Sequence, residues 1–553
     1  MRYNYYTDLM FLNGNKWDRY FTSSPDEGTT YDAIVIGSGM GGGTLADSLS
    51  NLGMNTLLLE AGPLRHLANI TDLPLPSTVE AFDPYDLERG TKLTGGVCFN
   101  LGGRSIYWSA VIPRMQGWEL MHWPEAIRTY LTDRGYDDAE THMRKRAYYP
   151  TFQNRLVGAF QSCFGLVEGR NETTAEYHRR LIAEDRYSVD HLPRSLHQPD
   201  SRQNPRPGSP DERSTGVYNT ASLIANSLVN PGKAGSDNLH VALQSLVDRI
   251  DIAVDSEDGT SSASCVHVLD LRNRVRRRFT GKYIVLACGA TESARLALTS
   301  GLDHELIGKG LTDHPAAEVH FSLPAAGWHF EATNGHQYSF GPNDQGNIFL
   351  QRYWTSDGNS GGPHPGRTGD TEASSWFSCE LALNYKFWDV RLEDDQIWSE
   401  RYSNPTTKST IKFLFRNALN EQNSIKLTKT GYKVSMQPMT VDDDLKTEAN
   451  QLAQRLLKFM QVSDATELTF DLEPVTYHMG GSLRMGTCPS TSVVDVDLKF
   501  HGFDNLFCCD LSVFPDIPAS NPSLTLTALA LRLARHLYQK NQDAAASTNN
   551  LYA

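Results

Sequence analysis

Gly37-Ser38-Gly39-Met40-Gly41-Gly42 sets three glycines at the spacing G-x-G-x-x-G, and Glu60 follows 18 residues beyond Gly42. That combination suits a dinucleotide. Gly37 permits a tight turn, Gly39 lets backbone approach a pyrophosphate, and Gly42 lets a helix pack closely on a strand, with Gly41 inside the same run. A helix starting here turns free N–H groups and the positive end of its dipole toward the phosphates. Glu60 is placed to accept hydrogen bonds from both hydroxyls of an unphosphorylated ribose. The acid does not by itself separate FAD from NAD.

The surrounding elements are those such a cradle needs. Residues 31–36 (YDAIVI) form an apolar, β-branched run, the pattern of a buried parallel strand. A helix is expected from about Thr44 to Leu52 and a second strand from Asn55 to Glu60, completing one βαβ unit. Residues 64–92 are loop-like and 94–112 carry a second Gly-rich stretch. Residues 119–164 look mostly helical, and 196–214 read as a long exposed loop. Strand patterns return at 238–254 and 264–287, and residues 316–440 alternate strand-like segments with loops, including Gly-rich 356–370. A helix with 3.6 periodicity spans about Asp442 to Phe459, 505–510 (NLFCCD) is another buried strand, and Ser523 to Lys540 is a long helix. Strand–Gly–helix patterns thus recur at 284–298 and 505–538. A discontinuous FAD domain explains these returns. Two tandem NAD domains would need a second G-x-G-x-x-G fingerprint, and the sequence has none.

Four further segments resemble the glucose–methanol–choline (GMC) family of flavin oxidoreductases. They are Gly102-Gly-Arg-Ser-Ile-Tyr-Trp108, Ala287-Cys-Gly-Ala-Thr-Glu-Ser-Ala-Arg295, Asp313-His-Pro315, and a C-terminal pair. The pair is His478-Met-Gly-Gly-Ser-Leu-Arg-Met-Gly486, then Asn505-Leu-Phe-Cys-Cys-Asp510 leading to Asn521-Pro-Ser-Leu-Thr525. Order and spacing match the family from residue 31 to about residue 540, with little to align between 316 and 440. Around Trp108 and at the C-terminus the chain is most similar to pyranose 2-oxidases and bacterial glycoside 3-oxidases.

The resemblance implies an α/β fold of two interleaved domains. One is a discontinuous Rossmann-like FAD-binding domain (28–125, 215–315 and 475–545). The other is a substrate-binding domain built on a mainly antiparallel sheet with helices (126–214 and 316–474). It further implies that His478 is the catalytic base and that Asn521 is its partner, orienting the substrate hydroxyl. Pro522, Ser523 and Thr525 would open a helix facing the pyrimidine edge of the flavin. Gly102, Gly103 and Ser105 would wrap the isoalloxazine, Val247 would meet the adenine through its backbone, Gly289 would lie in a strand-to-helix turn of the FAD domain, and Asp510 would stand near the ribityl–pyrophosphate. Asp313-His314 would join the domains. In pyranose 2-oxidases a histidine of the second Gly-rich loop bonds covalently to the flavin. Tyr107 stands at the matching position here, so FAD is expected to be non-covalent.

The residue types agree with that chemistry. Oxidising an alcohol removes a hydroxyl proton and a hydride. The hydride goes to flavin N5, and the proton needs a base titrating near the working pH, which histidine supplies. Taken alone, the same residues have plainer readings. One histidine among 17 is usually structural or on the surface. Asn-Pro-Ser-Leu-Thr is an ordinary Pro-started helix N-terminus. Trp108 is a core aromatic or lines the flavin, and Glu292 caps the helix it precedes or belongs to the FAD turn. Trp376, Tyr385, Phe387 and Trp388 stack on a sugar ring or fill sheet core.

The expected function is FAD-dependent oxidation of a primary or secondary alcohol of a sugar, glycoside or polyol-like natural product, with dioxygen or another electron acceptor. A sterol-like or other apolar alcohol oxidase, a non-redox lyase on the same fold, and a non-catalytic flavin module are the alternatives. The net charge of −14 argues against a nucleic-acid partner. The basic run Arg272 to Arg278 reads as a solvated hairpin. Eight cysteines without a C-x-x-C pair form neither a disulfide framework nor a zinc site, and no metal is expected at His314. No apolar run is long enough to span a membrane, and no signal peptide is evident at the start, so a cytoplasmic protein is expected. A homo-oligomer is compatible with the sequence. At about 150 residues per domain the length would suggest three to four units. The cradle near the start and the presumed catalytic pair near the end reduce that to two.

Overall fold

The computed structural model describes residues 25–67, 69, 81–117, 119–146, 149, 151–164, 187–197, 216–229, 237–254, 259–324, 328–331, 337–340, 346–352, 377–383 and 406–551. The first part of the chain runs through β1 (Thr30–Ile36), α1 (Met40–Asn51), β2 (Thr56–Leu59), α2 (Thr151–Cys163), β3 (Tyr187–His191) and α3 (Thr220–Val229). Then come β4 (Leu239–Ala242), β5 (Ser245–Val254), β6 (Ser261–Asp270), β7 (Val275–Leu286) and α4 (Ala290–Thr299). The remainder carries β8 (Ala316–Pro324), β9 (Gly346–Arg352), β10 (Phe377–Leu383), β11 (Thr406–Phe415), α5 (Asp443–Phe459), β12 (Thr469–Asp471), β13 (Leu506–Cys508) and α6 (Ser523–Leu551).

The first sheet is parallel in the order β4–β2–β1–β7–β13. Ala33, Ile34, Val35 and Ile36 are all buried, as a parallel strand covered on both faces requires. β7 serves two partnerships. Val275 to Phe279 pair antiparallel with β6, whereas Thr280 to Leu286 pair in parallel with β1. The basic run lies on this hairpin, where Arg276 pairs with Asp248 at 2.6 Å and Arg277 with Glu27 at 2.8 Å. α1 begins at Met40, earlier than the sequence pattern predicts, because Gly41 to Gly43 form its first turn, buried in the core. α6 runs beyond Lys540 through the Ala-rich segment that follows, which has high helix propensity, and Gln539 donates to Asp543 at 2.8 Å one turn on.

The second sheet is antiparallel in the order β12–β8–β11–β10–β9–β3. Its strands alternate between two faces. Ala317, Val319 and Phe321, Phe377, Cys379 and Leu381, and Ile411, Phe413 and Phe415 form one face, packed with Leu156 and Phe160 of α2 and Leu452 and Leu456 of α5. Residues between them, such as Glu318, Glu380 and Lys412, turn to the opposite face. The chemistry-bearing loops of the first sheet lie on that side.

Most of the expected loop 196–214 and all of 356–370 lie outside the described residues, as do Trp376, Tyr385, Phe387 and Trp388. Leu196–His197 pairs with Gly216–Val217. Among the described residues no helix is long and apolar enough to cross a membrane.

Phe413 is fully buried in a central strand, its ring 5.2 Å from that of Phe377. Phe413→Ala is expected to cost about 3–5 kcal/mol and to lower the Tm accordingly. A variant melting with the wild type in a thermal scan would contradict this placement.

Candidate active site

The turn from β1 to α1 forms one end of a cavity of about 760 Å³. Gly37 has φ +103°, and a Cβ there would stand 2.4 Å from the Ala287 carbonyl oxygen, so only glycine fits. A Cβ on Gly42 would meet the Gly37 carbonyl oxygen at 2.0 Å, and one on Gly41 the Cys509 carbonyl oxygen at 2.1 Å. α1 is therefore seated directly on the backbone that follows β1 and β13. Gly39 and Gly289 differ. Both line the cavity, and a Cβ on either would meet nothing within 4 Å. Gly39 is the N-cap of α1, and no side chain caps it. Open space and free N–H groups at a helix start are what a pyrophosphate needs.

The second Gly-rich loop lies on the first. A Cβ on Gly103 would stand 3.1 Å from Gly39 Cα. Ser38 Oγ accepts from Gly102 N at 2.9 Å and donates to Glu60 Oε2 at 2.5 Å. Thr220 Oγ1 donates to the Ser38 carbonyl at 2.8 Å and pairs with Ser105 Oγ at 2.9 Å. Glu60 also accepts from Gly62 N at 2.8 Å, and burial pushes its carboxyl up to about 7. Glu60, Gly103 and Ser105 line the cavity, whereas Gly42 and Gly102 stand behind it as packing residues.

Asp510 joins the carboxyl ends of β7 and β13. It accepts from Gly289 N at 2.9 Å, Ser293 Oγ at 2.5 Å and Ser512 N at 2.8 Å. Val247 lines the cavity while its carbonyl accepts from Arg295 Nη2 at 3.2 Å. Glu292 does not cap α4. It forms a buried ion pair with Arg295 at 2.8 Å and accepts from Tyr432 Oη at 2.6 Å, because the helix N-cap is Gly289.

The same cavity is lined by His478 and Asn521. Asp313 ties the loop of His478 to the start of β8. Its Oδ1 accepts from His314 N at 2.8 Å and its Oδ2 from Val475 N at 3.0 Å, and Thr312 bridges Gly480. Burial raises the Asp313 carboxyl to about 7 despite those donors. The His314 ring meets the His478 ring edge-on, with centroids 4.7 Å apart. Burial lowers His314 to about 3, with Lys412 pushing the same way, so it is neutral at working pH.

Asn521 is 8% exposed, and its Oδ1 has no hydrogen-bond partner among the described residues. The preceding loop is anchored by Glu119, which accepts from Ser520 N at 2.7 Å, and by Gln351, which donates to Ser520 Oγ at 3.0 Å. Pro522 and Ser523 line the cavity, but Thr525 does not. Its side chain is fully buried and pairs with Tyr136 Oη at 3.1 Å. Tyr107 and Trp108 both line the cavity, and Trp108 Nε1 donates to the Tyr218 carbonyl at 2.8 Å.

Sequence reasoning missed the cavity face of the second sheet. Glu318, Glu380, Lys412 and Asp471 line the cavity there. The available signal was a lone charge inside an apolar strand, as in Ile411-Lys412-Phe413 and Cys379-Glu380-Leu381. Elsewhere, ligand atoms of Asp251, Cys265 and His267 lie within 4.8 Å of one another on the β5–β6 hairpin. Asp251 already pairs there with Arg249 at 3.1 Å and His267 at 2.6 Å, which makes this an ion-paired surface cluster.

A parallel sheet with a glycine cradle at its carboxyl ends, opening on a His–Asn pair beside an antiparallel sheet, defines a dinucleotide-dependent oxidoreductase. Residues 225–316 and 403–530 match the two models described as GMC oxidoreductase, and the chain belongs to that family. It is 22% identical over 549 residues to a long-chain-alcohol oxidase of Arabidopsis thaliana (93% of this chain, 68% of that protein). It is 23% identical over 550 residues to the paromamine 6'-oxidase of Streptomyces fradiae (92% of each). Matches to a dehydrogenase of Strobilurus tenacellus (48% over 59 residues) and a pyranose 2-oxidase of Tricholoma matsutake (44% over 55 residues) span only 10% of either relative's length. A variant of the formate oxidase of Aspergillus oryzae RIB40, solved for its FAD modification, shares the fold at TM-score 0.57 and 14% identity (94% of this chain, 100% of that one). FAD is the cofactor the family implies. The residues fit it, since Gly39 and Gly289 leave open room at a helix start and the Asn521 oxygen in the same cavity has no hydrogen-bond partner among the described residues.

Gly39 has an ordinary φ of −61°, so alanine fits its backbone while its methyl enters the cradle. Gly39→Ala is expected to keep the wild-type fold by circular dichroism and to weaken FAD retention by roughly tenfold or more. Unchanged flavin occupancy after gel filtration would remove Gly39 from the phosphate site.

Proposed function

We propose that the protein oxidises a primary or secondary alcohol of a sugar, glycoside or similar polyol to a carbonyl, with His478 as base. The observation carrying this reading is the convergence of His478 and the unpartnered Asn521 carboxamide on the cavity that also holds the glycine cradle. Bound FAD supplies the hydride acceptor, and dioxygen or another oxidant takes the electrons onward.

The protein's own groups have separable tasks. His478 takes the hydroxyl proton as the carbinol carbon gives up its hydride. Asn521 offers its carboxamide to the same hydroxyl and fixes its direction. His314, neutral against the His478 ring, sets no charge against the proton that His478 gains. Asp313 and Glu119 hold the two loops, so the pair is positioned before substrate arrives. Gly37, Gly39, Gly103 and Gly289 hold the dinucleotide, with Glu60 on the ribose side. We assign residues 28–125, 215–315 and 475–545 to this FAD unit and 126–214 and 316–474 to the substrate unit.

A long-chain or sterol-like alcohol would call for an apolar channel. Glu318, Glu380, Lys412, Asp471 and Glu473 on the cavity wall favour a polyol instead. The similarity to pyranose 2-oxidases near Trp108 supports the same choice.

Anaerobic addition of candidate sugars to the yellow holoprotein tests the proposal. Bleaching of the flavin band is expected. A flavin that no alcohol reduces would leave the lyase or the non-catalytic reading. His478→Ala should retain FAD and slow flavin reduction by about 10²–10⁴-fold, and an unchanged rate would strip His478 of the base role. The cofactor is proposed to be non-covalent, with Tyr107 standing where pyranose 2-oxidases carry the linked histidine. Acid precipitation should therefore release all the flavin into the supernatant, whereas flavin retained in the pellet would refute this.

A further inference from the structure

The cavity face of the second sheet carries three charges in a row. β8, β11 and β10 are adjacent, and their registers set Glu318 opposite Lys412 and Lys412 opposite Glu380. Lys412 Nζ lies 3.0 Å from Glu318 Oε1, so its charge is engaged on that side. Glu380 is left over. It is 7% exposed, lines the cavity, and its Oε1 has no hydrogen-bond partner among the described residues. On the far side of Glu380, β9 offers only Phe349. Arg194, the other nearby cation, donates to the Ser109 carbonyl at 3.0 Å.

The row adjoins the reacting groups. Lys412 is near enough to His314 to lower its proton affinity, and His314 packs against His478. Asp471 and Glu473 line the same wall, with Glu473 paired to Lys92. Arg104, the remaining cation nearby, is turned to the Gly95 carbonyl and Thr476. This part of the cavity therefore has more anionic than cationic groups, and of its two buried carboxylates Asp313 is satisfied by backbone N–H groups whereas Glu380 Oε1 has no hydrogen-bond partner among the described residues. A hydroxyl would leave that charge unbalanced, whereas an ammonium brings both an opposite charge and three donors.

We propose that Glu380 anchors a protonated amine, so that the preferred substrates are amine-bearing polyols such as amino sugars. The proposal rests on alcohol oxidation at His478 and Asn521 for its substrate class, but not for the binding itself. Burial holds the empty-site Glu380 carboxyl up to about 7, with Glu318 adding to this and Lys412 and Arg194 opposing it. Binding of an ammonium favours the ionised form, so amine affinity should fall as the pH drops below about 7.

The test uses FAD-loaded protein and reads perturbation of the flavin spectrum, which needs no turnover. The probes are D-glucosamine, N-acetyl-D-glucosamine, D-glucose and the methylammonium ion. At about pH 7.3, where the sugar amine is still largely protonated, glucosamine should bind about tenfold more tightly than glucose or N-acetylglucosamine. Glu380→Gln, of nearly the same shape, should abolish that preference while keeping the Tm and flavin content. Glu318→Gln should reduce the preference as well, because Lys412 is then released toward Glu380. Equal affinity for glucosamine and glucose, no response to either amine, or an undiminished preference in Glu380→Gln would overturn the proposal. Failure of the oxidation reading looks different: amines would bind in a Glu380-dependent way, yet no alcohol would bleach the flavin.

Discussion

β7 pairs in parallel along both of its edges, with β1 on one side and β13 on the other. Three chain segments far apart in sequence therefore end side by side, and the turns that follow them, at Gly37, Gly289 and Asp510, share one edge of the sheet. Ligands in open parallel sheets bind at such carboxyl ends. Close backbone contact holds the turns together. Gly42 sits on the Gly37 carbonyl, Gly41 on the Cys509 carbonyl, and the Asp510 carboxylate takes the Gly289 N–H. The positions of α1, α4 and α6 follow from that alignment.

The same device recurs at the reacting end. Glu60, Glu119 and Asp313 are buried carboxylates, each raised to about 7 by burial and each spent on backbone N–H groups of a loop. They order the turn after β1, the loop before Asn521 and the loop of His478. Glu380 has the same burial and the same raised proton affinity, but no N–H to receive. That contrast separates a structural carboxylate from one available to a ligand.

How much could be read in advance depended on how local each feature is. The β1–α1–β2 unit lies within about thirty consecutive residues, and its apolar strand runs, glycines and terminal acid were all legible. The GMC oxidoreductase fold followed once the segments near Gly102, Ala287, Asp313, His478 and Asn521 were taken together. The pairing of Thr525 with Tyr136 was not legible, because helix phase relative to Tyr136 is set by packing and not by the motif. The row Glu318–Lys412–Glu380 was invisible because it exists only through the registers of three strands. Each strand reads singly as an apolar run with one charge, and nothing local says that the charges are neighbours.

β13 is an edge strand of the parallel sheet, yet it follows its partner β7 only after β8 to β12 of the second sheet have intervened in the chain. During synthesis on a ribosome β1, β2 and β7 emerge long before it. Until β13 docks, the open edge of β7 presents unpaired N–H and C=O groups that another chain can pair with. Gly41 of α1 likewise lacks the Cys509 carbonyl on which it rests. The cofactor cradle is therefore completed only after β13 and α6 have been made, and retained flavin marks chains in which that strand and helix have docked.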